Sequence, residues 1–107
     1  MIFGGKKTKR EHMRSFAERM GEPEAFTLID VRTEPEYAGG HLPHSINIPL
    51  DRIRTVQKNV QEPNEKIYVY CQSGIRSRSA CAALVKMGYT DITDLGGIAE
   101  WNGMIEK

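Results

Sequence analysis

With 107 residues, 39% of them hydrophobic and 27% charged, the chain has room for one hydrophobic core wrapped in an ordinary polar surface. A net charge of +1 gives no strongly basic or acidic chain, and no run approaches the roughly 18 apolar residues of a membrane helix. Two cysteines are too few for a disulfide scaffold. Met1-Ile2-Phe3 runs straight into Gly4-Gly5-Lys6-Lys7, so no leader is read and a reducing, cytoplasmic setting is expected.

Residues 8–20 are predicted to form a basic N-terminal helix. Thr8 is its N-cap, Glu11 stands at capping-box spacing, and Met13, Phe16 and Met20 share one face; Gly21-Glu22-Pro23 ends it. Glu11 and Glu18 interrupt its cations and no stacking platform accompanies them, so a solvated face is expected and not a nucleic-acid arm. Residues 26–31 form a short, nearly continuous apolar run, the pattern of a strand buried on both faces. Residues 34–38 read as one helical turn, 46–48 as a strand closed by Pro49, and 50–59 as a helix with Ile53 and Val56 facing inward. Residues 67–70 are the expected central strand. Residues 77–87 follow as a long helix, with Ala80, Ala83, Leu84 and Met87 at helical spacing and Gly88 in the left-handed position beyond its end. Ile92 and Leu95 mark a last strand, and Ile98, Trp101 and Ile105 a closing helix. Strands alternating with helices imply an α/β domain with a central, mostly parallel sheet covered on both faces.

The most informative stretch is Tyr70-Cys71-Gln72-Ser73-Gly74-Ile75-Arg76-Ser77. It joins the central strand to the long helix, and parallel sheets bind ligands beyond the carboxyl ends of their strands. A free cysteine has a pKa of about 8.5; helix N-termini and nearby cations lower such values to roughly 3.5–7.5. A loop curled around Cys71 would aim the N–H groups of residues 72–77 at its sulfur, and Gly74 supplies the conformational freedom for that curl. Arg76 offers a planar fork for an oxyanion, and Ser77 and Ser79 can cap the first helical turn. Residues 66–90 contain Lys66, Arg76, Arg78 and Lys86 and no acid, so the local sequence is cationic. Cys81, among Ala80, Ala82, Ala83 and Leu84, reads as a core residue, too far from Cys71 for a disulfide. His12 is expected on the exposed face of the first helix, and His41 and His44 flank Leu42-Pro43 in a turn. No Cys/His spacing resembles a zinc site, so neither metal nor cofactor is expected.

Five ordered stretches resemble the rhodanese family of sulfurtransferases. They are Leu28-Ile29-Asp30-Val31-Arg32 with Glu36-Tyr37, residues 40–49 around Gly40-His41-Leu42-Pro43, the strand and loop 67–76, residues 84–89, and Leu95-Gly96-Gly97-Ile98 with Trp101. The likeness runs from about residue 27 to 103 of a single domain spanning 1–107. It implies a three-layer α/β/α rhodanese-like fold. It also implies that Cys71 takes a sulfane sulfur from a donor such as thiosulfate or a persulfide, and passes it to cyanide or a thiol. Gln72, Ser73, Gly74, Ile75, Arg76 and Ser77 would form the substrate-binding loop, Arg76 would hold an anionic donor, and Asp30, Arg32 and Glu36 would be structural, with Arg32 pairing to Glu36. The family often has arginine directly after the cysteine. Gln72 removes that charge, which bears on thiosulfate use. His44-Ser45 stands where Gly-Ala is more usual.

Two other readings stay open at this point. One is a non-enzymatic or relay-type module that delivers sulfur to a partner protein in place of a small-molecule thiol acceptor. The other is a cysteine phosphatase or arsenate reductase, which places five residues between cysteine and arginine. Here only four separate Cys71 from Arg76.

Overall fold

The computed structural model describes residues 8–21 and 25–107. The opening residues 1–7 and the Glu22-Pro23 helix stop lie outside them. Five strands form one sheet: β1 (Thr8–Arg10), β2 (Thr27–Asp30), β3 (Ser45–Asn47), β4 (Lys66–Cys71) and β5 (Asp91–Gly97). Their order is β1-β5-β4-β2-β3, and every neighbouring pair is parallel. Helices α1 (Met13–Arg19), α2 (Glu34–Ala38) and α3 (Ile75–Lys86) and a 3-10 helix, Leu50–Lys58, connect them. No described helix is long and apolar enough to cross a membrane.

The alternation along β4 builds the three layers. Ile67, Val69 and Cys71 join Ala80, Cys81 and Leu84 of α3 and Ile53 and Val56 of the 3-10 helix on one face. Tyr68 and Tyr70 join Met13 and Phe16 of α1, with Trp101 packed against them, on the other. Both faces of a central parallel strand are thus covered, as its uninterrupted apolar sequence anticipates. α3 ends in a Schellman motif. Gly88 has φ 104°, its N–H donates to Val85 at 3.0 Å, and the Tyr89 N–H donates to Leu84 at 3.2 Å.

Four expectations are corrected. The N-terminal helix does not begin at Thr8. Residues 8–10 are an edge strand in register with Ile92, Thr93 and Asp94, and α1 starts at Met13 after an N-cap at His12. Glu11 makes no capping box with Thr8; it pairs with Arg19 and donates its own N–H to Asp94 O. Pairing with β5 takes up the backbone that an extra helical turn would have used. Residues 50–58 are a 3-10 helix kinked at Arg52, although Ile53 and Val56 are buried as expected. The central helix begins at Ile75, two residues before the expected start. The closing helix is only the 3-10 turn Ile98–Glu100. Beyond it the backbone is extended and Glu106 exchanges two 2.9 Å hydrogen bonds with His41, which draws Ile105 against Gly40.

Candidate functional site

β4 delivers Cys71 to the start of α3, at the carboxyl edge of the sheet. Its sulfur accepts hydrogen bonds from the backbone N–H of Gly74 at 2.9 Å and of Ser77 at 3.2 Å. Gly74 is the N-cap of the 12-residue α3 and has φ 101°, a left-handed conformation that costs a side-chain-bearing residue roughly 1–2 kcal/mol. That single turn bends the chain back over the sulfur. Among the described residues, the N–H groups of Ser73, Ile75 and Arg76 have no acceptor, as expected for the first turn of a helix. The side chains of Gln72, Ser73 and Ile75 are exposed, Ile75 by 76%.

The loop rests on β5. A register shift after Val69 pairs Tyr70 with Gly96 and Cys71 with Gly97, leaving Leu95 as the extra residue. A Cβ at Gly97 would lie 2.6 Å from Gln72 O and 3.1 Å from Ser73 Cα, so only glycine lets the loop lie this close. The bulge also orients Asp94, a buried carboxylate that sequence reasoning missed. Its Oδ1 accepts from the Gly96 N–H at 2.9 Å and from the Ser77 hydroxyl at 2.8 Å. Ser77 therefore does not act as an N-cap, and Ser79 is exposed on the helix. Asp94 is fifteen or more residues away from the loop in sequence, and only the bulge beside the Gly96-Gly97 pair betrays its role.

The expected Arg32–Glu36 pair does not form. Arg32 folds back on Asp30, donating from Nε at 3.1 Å to each carboxylate oxygen and from Nη2 at 2.8 Å. It also donates to Gly40 O at 2.7 Å and to Gln72 Oε1 at 3.2 Å, so it holds the loop from below. Burial works against the Arg32 cation, but the hydrogen bonds and charge of Asp30, together with Tyr70, outweigh it and its pKa is raised. Glu36 instead grips Arg76 at two points, Nη1 to Oε1 at 2.8 Å and Nη2 to Oε2 at 3.1 Å. Those hydrogen bonds, with the Thr33 amide of the α2 capping box, pull the Glu36 carboxyl down to about 2. The acid-free window of the sequence is therefore not acid-free in space, since Glu36 and Asp94 arrive from other elements. Arg78 borders a separate cavity of about 470 Å³ with Arg10, Cys81 and Lys86. Cys81 is buried and free, its thiol pushed up to about 12 by burial and then by Asp94. His12 is exposed, while His41 is buried, stacked on Tyr37 with ring centroids 3.6 Å apart.

A parallel five-stranded sheet covered on both faces is the fold this chain shares with solved rhodanese structures. The family model of the rhodanese-like domain matches residues 13–104, and the chain belongs to this family. It is 41% identical over 80 residues to the uncharacterized protein YqhL of Bacillus subtilis, covering 74% of this chain and 63% of that protein. It is 34% identical over 88 residues to a sulfurtransferase of Allochromatium vinosum, covering 81% of each. A solved rhodanese with anions from E. coli matches with a TM-score of 0.73 and 33% identity, over 78% of this chain and 99% of that one.

Proposed function

We propose that the protein is a sulfurtransferase that carries sulfane sulfur as a persulfide on Cys71. The observation that supports this most directly is the pair of amide N–H groups on the Cys71 sulfur at the start of α3. The two donors fix the sulfur at the start of the helix, where it can act as the nucleophile and carry the transferred sulfur. In the first step Cys71 Sγ attacks the outer sulfur of a donor; the Sγ–S bond forms and the donor's S–S bond breaks. With thiosulfate the leaving group is sulfite, and with an organic persulfide it is a thiolate. In the second step an acceptor thiolate or cyanide attacks the terminal sulfur and restores the Cys71 thiolate. The unpartnered N–H groups of Ser73, Ile75 and Arg76 are suited to the negative charge of that terminal sulfur. Gln72 and Ser77 shape the same cradle, one through Arg32 and the other through Asp94.

A phosphatase reading fits less well. The loop is one residue short for a tetrahedral oxyanion, and Arg76 is engaged at two points by Glu36. Formation of thiocyanate from cyanide and a sulfane donor tests the proposal. Wild type should form it and Cys71→Ser should fall to background while keeping its fold by circular dichroism. Thiocyanate formation retained in a folded Cys71→Ser would remove Cys71 from the reaction.

A further inference from the structure

We propose that Glu36 is a positioning residue that sets donor choice: by holding Arg76 in a two-point ion pair it withdraws that cation from incoming donors, so the site favours an organic persulfide of low charge over the thiosulfate dianion. This rests on the Cys71 sulfur-transfer reading above. Three observations around the loop carry it. Arg76 gives both terminal nitrogens to the two Glu36 oxygens. Arg32, the other guanidinium beneath the loop, is matched by the fully buried Asp30 carboxylate and meets the loop only through neutral Gln72. At the rim, Ile75 presents an apolar side chain that is 76% exposed. A dianion entering here meets no uncompensated guanidinium from Arg32 or Arg76, and Arg78 borders a different cavity. A simple alkyl persulfide brings at most one charge and an apolar body suited to Ile75.

The favoured step balances without a further reactant. The Cys71 thiolate attacks the outer sulfur of R–S–SH, giving Cys71–S–SH and RS⁻; one S–S bond replaces another, the proton stays on the transferred sulfur, and the electron pair leaves with RS⁻.

The test is the ratio of kcat/KM for thiosulfate to kcat/KM for 2-hydroxyethyl persulfide, which carries no ionisable group besides its outer sulfur, measured in wild type, Glu36→Gln, Arg76→Ala and the double variant. Glutamine can keep the capping interaction with Thr33 while releasing Arg76. The ratio should rise about tenfold in Glu36→Gln, equivalent to about 1.4 kcal/mol, with the gain in the thiosulfate KM and erased by salt. In the Arg76→Ala background the same change should leave the ratio unmoved. An unchanged ratio in Glu36→Gln, or an equal rise without Arg76, overturns the proposal. Should the glutamine variant not fold, wild type still decides the matter. A thiosulfate KM that climbs steeply with salt would mean that Arg76 is already available to the dianion. Failure of wild type to load Cys71 from either donor would instead defeat the underlying sulfur-transfer reading.

Discussion

Cys71 and Cys81 face the same core, ten positions apart, in opposite surroundings. Amide dipoles meet the first sulfur; apolar packing and the nearby Asp94 keep the second a thiol, pushed up to about 12. Cys81→Ala should therefore retain sulfur loading and lose about 1 kcal/mol of stability in urea unfolding, the scale of one small buried group. Loss of loading in a folded Cys81→Ala would give that thiol a part in the chemistry. Glu36 makes a second prediction at this scale. Its folded value, about 2, lies below the ordinary 4.5, first because Arg76 donates to it and then because the Thr33 amide does. A carboxyl lowered on folding contributes stability fully above its ordinary value and loses that contribution as pH falls toward the folded one. Wild type should thus lose stability between about 4.5 and 2 more steeply than Glu36→Gln. Parallel curves across that window would show that the Arg76–Glu36 pair does not form in solution.

The elements show how one local signal yields two outcomes. Thr-x-x-Glu occurs at Thr8-Lys9-Arg10-Glu11 and again at Thr33-Glu34-Pro35-Glu36. The second is a complete capping box with proline at the helix start. The first is stretched into β1, because pairing with β5 competes for the same backbone and wins. Within those four residues Pro35 and the acidic Glu34 mark the second as a helix start, and the sheet edge decides the first. The β4–loop–α3 unit was legible because it is local: a strand pattern, one glycine and a helical stripe in sequence order. Its supports were not. Asp94 reaches Ser77 only through a bulge, and Arg76 meets Glu36 across 40 residues. Gly97→Ala should test the loop's seat on β5. The added methyl would press on Gln72 O, costing about 1–3 kcal/mol and lowering kcat/KM for every donor. Unchanged kinetics would mean that the loop need not lie against the strand. His44, where Gly-Ala is more usual after the proline, has φ 69°. His44→Gly should raise the melting temperature by relieving roughly 1 kcal/mol of left-handed strain. A lower melting temperature would show that the imidazole makes up for it.

At the scale of the whole molecule, charge that is segregated in sequence becomes paired in space. The cationic stretches 1–20 and 66–90 and the acidic stretches 21–65 and 91–107 look separate in sequence, yet Lys66 reaches Asp91, Arg10 reaches Asp94 and Arg76 reaches Glu36. The order of elements foretold a layered parallel sheet, since each strand and helix carries its own periodicity. Edge placement of β1 and the extended tail held by His41 depended on contacts between distant segments and left no local mark. What the layers achieve is to bring one sulfur and a turn of amides together at the rim of the sheet. Intact-mass measurement after incubation with a persulfide donor probes that directly. Wild type should gain the mass of one sulfur atom, lose it on adding cyanide, and show no gain as Cys71→Ser. A folded Cys71→Ser that gains the same cyanide-labile sulfur, or a wild type that gains none, would contradict the account.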